Sequence, residues 1–369
     1  MIIQSKKVWI ADQFTPAQLE LEDGIIKEIY PYNEKEVTKD YGDLRILPGF
    51  IDIHCHGAYG FDTNDANPEG LRKWAKGIVD EGVTSFLATT LTQSEEVLTN
   101  AVSNVAKVVE EGYEGPYLNK AHKGAQPEEY CVKPNIEQFK RYQKAAHGLI
   151  KYITMAVEND EDYALTKYCS QNNVVVSIGH SNATYEQAVQ AYAHGARSMT
   201  HVYNAMTPFT HRANGLVGGA LRIRNMYGEI ICDGNHSTLA ALNNFFTSKG
   251  PDYSIMITDS LMCKGFPVGT KFDFGGQEVV IYPDGSAHLV EAGNLAGSTL
   301  NVNKGLKILI EDALVPVNYA INACTSNPAR CLHVDDRKGT IGVGYDADLV
   351  VLDRDYEVVQ TYCKGIGQK

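Results

Sequence analysis

The residues best suited to chemistry are histidines and acids that end apolar runs. His54 and His56 close GFIDIHCHG, His180 closes VVVSIGHS, and His201 closes RSMTHVYN; His236 follows IICDGNHS, and Asp259 closes SIMITDS. His54 and His56 stand two apart, so on a strand both side chains face one way and Cys55 faces the other. Two imidazoles side by side at a strand end can share a metal ion. Adding His180, His201 and a carboxylate gives a nitrogen and oxygen donor set that suits Zn²⁺ or Fe²⁺. A lone strand-end histidine is most often a satisfied polar residue, and HxH alone is a weak signal. Five such histidines, with an aspartate ending the last run, outweigh that bland reading. His122, His147, His194, His211, His288 and His333 fall in loops or helices and read as surface or packing residues.

Side chains so far apart in sequence meet only if the elements carrying them converge. Apolar, β-branched runs occur at Ile46–Ile53, Thr84–Ala88, Ile150–Val157, Val174–Ile178, Arg197–Thr200, Glu229–Cys232 and Tyr253–Ile257. Helical patterns intervene at Pro68–Glu81, Glu95–Val109, Asn135–Ala146, Glu161–Ser170, Thr184–Ala193 and Leu239–Ser248. Such alternation predicts a parallel sheet buried on both faces. About eight units over roughly 250 residues match an α/β fold of the (β/α)₈ TIM-barrel type, whose strand ends share one rim. An open doubly wound sheet is the alternative, weakened by the lack of GxGxxG after the first strand. The two ends differ from this middle: KKVWIAD, LELEDGIIKEIYP with an Asp23-Gly24 hairpin turn, and strands around Leu349–Leu352 and Glu357–Tyr362. The expected division is therefore a small β domain from residues 1–46 and 343–369 around a barrel at 47–342.

Composition excludes several classes. Of the 369 residues, 44% are hydrophobic and 21% charged, as in an ordered globular enzyme. A net charge of −12 argues against nucleic acid or an anionic membrane as partner. An anionic substrate would need a local positive group. The eight cysteines are scattered singly without CxxC, which predicts free thiols in a reducing compartment. MIIQSKKVWIADQF lacks the apolar core of a secretory signal, and no run is long enough to span a bilayer. A cytoplasmic location is expected.

At the level of motifs, LPGFIDIHCHG resembles the first-strand signature of the amidohydrolase superfamily. EGPYLNKAHKGAQP, GHSNATYEQA, THVYNAMTPFTHRANGLVG, DGNHS, ITDSL and LAGSTL resemble the N-acetylglucosamine-6-phosphate deacetylases, in register from about Leu47 to Gly342. HxH is common to the superfamily, whereas THxxNAM with a downstream arginine and LAGST are far more specific. The resemblance implies a TIM barrel with a small β-sandwich, and metal-dependent hydrolysis of the acetamide of a phosphorylated amino sugar.

Position by position, it implies Glu114 as a metal-bridging carboxylate and His180 and His201 as further ligands. Some relatives replace HxH and hold one ion; with His54 and His56 both present, two ions fit better here. Zn or Fe is expected, with Mn or Co also compatible. Asp259 corresponds to the catalytic acid/base, against the alternative of a helix N-cap, and His236 to a group that polarises the acetyl carbonyl. Asn204, Ala205 and Arg212 correspond to phosphate-binding positions. In some relatives that arginine serves the neighbouring subunit's site, which implies a homodimer. Ala125, Gln126, Asp233, Gly234, Asn235, Leu295, Ala296 and Gly297 match sugar-contacting positions, and KGFPVGTKFDFGGQ is a candidate mobile loop.

Two departures stand out. VAKVVEEGYEGP leaves room only for a very short third strand, or one built from Lys107–Val109. Gln126 stands where many relatives carry histidine, which would alter the sugar contact or admit another epimer, such as N-acetylgalactosamine 6-phosphate. A cyclic-amide hydrolase is a rival, but it would need a carboxylated lysine at the end of IKYITMAVEND, which has none. A non-catalytic scaffold would have lost several ligands, and this chain keeps them.

Overall fold

The computed structural model describes residues 1–107 and 111–368, of which 111–113 are described by their backbone alone. Among these residues, eight parallel strands form one sheet in which sequence neighbours are also spatial neighbours. They are β1 (Phe50–Cys55), β2 (Val83–Thr89), β3 (Glu111–Glu114), β4 (Ile150–Met155), β5 (Val175–Ile178), β6 (Ser198–Met199), β7 (Tyr227–Ile231) and β8 (Ser254–Ile257). Every residue of β1, β5 and β8 is buried, as expected of strands covered on both faces. Helices separate most of them, and their starts are legible in sequence. Asn67 caps Pro68–Gly77 with proline at the first helical position, and Thr184 and Gln187 form a capping box on Tyr185–Ala193. The first and last strands also meet: Asp259 N–H donates to His54 O at 2.9 Å, and His56 N–H to Ser260 O at 2.8 Å. The six strand ends that carry candidate residues, those of β1, β3, β5, β6, β7 and β8, therefore lie at one end of the sheet.

The third strand is four residues long, paired with β2 and β4, so the expectation of a very short strand holds. Lys107 lies in the turn after the helix Glu95–Val105, while Val108 and Val109 fall outside the described residues. The run Ile46–Ile53 is not one strand. Arg45–Pro48 pairs with Ile2–Ile10 and Leu349–Leu352, whereas Phe50 onward joins the central sheet. The chain changes sheets at Gly49, where a Cβ would lie 2.3 Å from the Thr84 hydroxyl. Periodicity cannot register that break, because both halves are equally apolar. KGFPVGTKFDFGGQ is likewise not all loop: Lys271–Phe274 is a strand paired with Gln277–Ile281 in a three-stranded antiparallel sheet beside the cavity described below.

The second eight-stranded sheet draws on both chain ends. Its path runs Ile366–Gly367, Val358–Cys363, Leu349–Leu352, Arg45–Pro48, Ile2–Ile10, Gln13–Glu22 and Ile25–Pro31, with Lys39–Asp40 also on Ile2–Ile10. Asp23 and Gly24 form the expected tight turn, both with positive φ (50° and 83°), as a type I′ hairpin requires. This sheet has its own core of Ile3, Leu19, Ile26, Ile46, Leu349 and Val351.

Gly82 stands where the two sheets touch. Its φ is +83°, and a Cβ there would lie 2.6 Å from the Val350 side chain and 2.9 Å from Phe50. Gly82→Ala is expected to lower stability by about 1–3 kcal/mol, from backbone strain and overpacking together. Thermal unfolding checks this; an unchanged midpoint would mean the junction is looser than its geometry.

Candidate active site

The strand ends bring four imidazoles and two carboxylates into one buried cluster. His54 and His56 leave β1 with their Nε2 atoms 3.3 Å apart, and His180 and His201, after β5 and β6, have theirs 3.0 Å apart. Glu114, at the end of β3, lies between the pairs. Its Oε2 is 3.3 Å from His56 Nε2 and 3.6 Å from His54 Nε2; its Oε1 is 3.3 Å from His180 and 3.7 Å from His201. Asp259 Oδ1 approaches His56 Nε2 at 3.1 Å and His54 at 3.8 Å. His54, His56 and Glu114 form one group able to hold a metal ion, and Glu114, His180 and His201 form another.

The outer nitrogens decide which protonation state the cluster favours. His56, His180 and His201 each place Nδ1 against a backbone carbonyl, those of Thr89 (3.2 Å), His122 (2.8 Å) and Asn204 (3.2 Å). His54 Nδ1 faces Glu229 Oε2 at 2.9 Å. Carbonyl and carboxylate oxygens only accept, so the protons belong on Nδ1 and the Nε2 lone pairs converge on the centre. Lone pairs facing each other at about 3 Å repel unless a cation lies among them. Glu114 Oε1, fully buried and without a hydrogen-bond partner, makes the same demand. The donor set fits a divalent metal ion.

With no metal ion among them, protons on the imidazoles answer the same demand for positive charge. Burial disfavours a charged His56, yet hydrogen bonds to Asp259 and Glu114 outweigh it and raise its pKa to about 9. Burial would raise Asp259, but the His56 hydrogen bond and the neighbouring imidazoles hold it at about 2. Glu114 is likewise held well below the carboxylate range, chiefly by His54 and His180 against the burial cost. Both acids are thus carboxylates at neutral pH. The backbone is strained where these groups attach: φ is +46° at His180, +30° at His201 and +51° at Asp259. Asp259 is no helix cap, since the chain continues through turns with no helix starting there.

A cavity of about 390 Å³ opens over the cluster. Its wall includes His56, Glu114, His180, His201, His236 and Asp259, together with the expected Ala125, Gln126, Asn204, Ala205, Leu295 and Gly297. His236 is set by Asp233, whose Oδ2 accepts from Nδ1 at 2.7 Å, leaving Nε2 for the cavity. Five expected sugar or phosphate contacts are off this wall. Asp233 hydrogen-bonds His236, Gly234 and the exposed Asn235 follow it in the same loop, Ala296 is buried, and Arg212 is on an exposed loop. Gln126 does reach the wall, but its amide is occupied. It accepts from Thr92 N–H at 2.8 Å and donates to Glu114 Oε2 at 3.0 Å.

Some participants escaped the sequence reading. His122 is no ordinary surface residue: its carbonyl accepts from His180, its ring lines the cavity, and its Nε2 lies 3.0 Å from Asn182 Oδ1. Glu229 is fully buried within β7, where an acid in an otherwise apolar strand was the available signal. Asp52, also buried, accepts from the Thr258 hydroxyl and amide and so ties β1 to the end of β8. The apolar wall residues Leu91, Leu261 and Phe274 offered no signal, because they look like any core residue. The lysine that a cyclic-amide hydrolase would require is missing from the end of β4, which closes with the buried Thr154 and Met155.

A model of the amidohydrolase family matches residues 45–366. The chain is 39% identical to the N-acetylglucosamine-6-phosphate deacetylase of Bacillus subtilis (strain 168), over 91% of this chain and 87% of that protein. It is 32% identical to the N-acetylgalactosamine-6-phosphate deacetylase of Escherichia coli O157:H7, over 97% of this chain and 95% of the other. Among solved structures, the N-acetyl-D-glucosamine-6-phosphate deacetylase of Mycobacterium smegmatis, in complex with N-acetyl-D-glucosamine-6-phosphate, superposes with a TM-score of 0.95 at 25% identity. That match covers 100% of this chain and 99% of that one. Cluster, fold and sequence lead to one conclusion: the chain belongs to the amidohydrolase family, in the same branch as the N-acetyl amino-sugar 6-phosphate deacetylases.

Proposed function

We propose that the protein hydrolyses the acetamide of N-acetylglucosamine 6-phosphate, releasing acetate and glucosamine 6-phosphate. The observation that carries this reading is the pair of imidazole couples sharing Glu114 beneath a cavity, with the ionised Asp259 beside them. His54, His56, Glu114, His180 and His201 would hold one or two divalent ions, with two favoured because both ligand groups are complete. Zn or Fe suits the nitrogen-rich set best, and Mn or Co is also accommodated. When bound, such an ion supplies Lewis acidity, which lowers the pKa of water to about 7 and stabilises a developing oxyanion. Asp259 accepts the proton of the attacking water and delivers it to the departing nitrogen, acting first as base and then as acid. His236, held by Asp233, whose hydrogen bond raises its pKa against the cost of burial, donates from Nε2 to the acetyl oxygen as the imidazolium.

The substrate phosphate needs a cation, and among the described residues no lysine or arginine lines the cavity. Arg212 is exposed and away from its own cavity, which suits a homodimer in which it enters the partner's site. Asn204 and Ala205 would add further donors. The proposed architecture is a closed (β/α)₈ barrel at 47–342 with a β-sandwich from 1–46 and 343–369. The hydrogen bonds joining the ends of β1 and β8 support closure. A cytoplasmic location is in keeping with the free thiols, and among the described residues no helix is long and apolar enough to cross a membrane.

Acetate release tests the substrate. The phosphorylated sugar should exceed unphosphorylated N-acetylglucosamine by at least about 10–100-fold in kcat/KM, the worth of one charge-assisted contact at about 1.5–3 kcal/mol. Equal rates would remove the phosphate from the proposal, and faster turnover of N-acetylgalactosamine 6-phosphate would change the epimer. Co-expressed chains carrying Arg212→Ala and Asp259→Asn should recover activity that neither variant has alone, because a mixed dimer then holds one intact site. No recovery means that Arg212 serves its own chain.

A further inference from the structure

Glu229 sits in the middle of β7, fully buried and off the cavity wall, so it meets neither substrate nor solvent. An ionised carboxylate in such a place is costly unless its oxygens are partnered. Here the Tyr152 hydroxyl donates to Oε1, and His54 Nδ1 donates to Oε2 at 2.9 Å. The other three candidate ligand imidazoles rest on backbone carbonyls instead. Of the four, among the described residues, His54 alone is backed by a carboxylate. A carboxylate behind an imidazole draws the Nδ1 proton toward itself and makes Nε2 the stronger donor to a metal. As a carboxylate directly behind His54, Glu229 also adds to the acidic surroundings of that half of the site, which favours a divalent ion there.

We infer that Glu229, held by Tyr152, is a positioning residue that sets how tightly the His54/His56 half of the site binds its ion. The inference rests on the metal-site reading above. It separates the two halves: the ion shared by Glu114, His180 and His201 has no such backing and should be indifferent to Glu229.

The test is a metal titration of the full-length chain, stripped and then reloaded with Co²⁺ or Zn²⁺ against graded chelator. Ion content and the Co²⁺ absorption bands are the readouts. Glu229→Gln keeps the side-chain shape and an acceptor for His54 but removes the charge. The expected result is a 10–100-fold weaker binding of one ion, with the other unmoved. Tyr152→Phe should shift the same ion in the same direction by less, and it decides the matter if Glu229→Gln does not fold. Parent and variant titrations that coincide would overturn the role of Glu229. A parent chain that holds no divalent ion against weak chelator would sink the metal-site reading itself, which is a different result.

Discussion

Asp259→Asn is expected to retain the metal ions of the parent and to lose turnover by about 10²–10⁴-fold. The substitution preserves volume and the ability to hydrogen-bond near His56, 3.1 Å away, but it removes the basic oxygen. Both metal groups are complete without this residue, so ion content should stay level. Because the carboxylate is held ionised, with a pKa of about 2, the parent has its base ready at any neutral pH. The variant has none. kcat and kcat/KM should fall together, since the proton transfer belongs to the transition state. Steady-state acetate release with parallel metal analysis checks the outcome. A variant within tenfold of the parent would end the claim that Asp259 moves the proton.

The second large effect belongs to Glu114. It is the one carboxylate shared by both groups of candidate ligands among the described residues. Glu114→Gln should leave the chain with at most one bound ion and reduce turnover by at least about 10³-fold, as expected when several kcal/mol of charge stabilisation are withdrawn. Chelation of the parent should reproduce the loss, and re-addition of the metal should reverse it. Two ions retained in Glu114→Gln would show that the imidazoles suffice and that the carboxylate does not bridge them.

Much of this site was legible before any coordinates. Residues that end apolar runs, such as His54, His180, His201 and Asp259, are informative as a set, because the strand ends of such a sheet share one rim. The alternation of strands and helices survived almost unchanged, since strands buried on both faces carry an unmistakable composition. What stayed hidden was relational. The sheet change at Gly49 leaves no trace in hydrophobicity. The importance of Glu229 and His122 depends on which ligand nitrogen they meet, and for His122 the contact runs through a backbone carbonyl that any residue could supply. Gln126 was placed by motif at the sugar, while its geometry turns it toward Glu114. Motif position gives the neighbourhood of a side chain, and only coordinates give its partner.

The left-handed backbone at His180, His201 and Asp259 carries a consequence for anyone improving this protein. Each conformation costs on the order of 1 kcal/mol that glycine would largely avoid and asparagine would lessen. A laboratory lineage screened on heat tolerance alone would be rewarded for erasing the very side chains proposed to grip the ion and move the proton. Those three codons should be locked before any such campaign begins.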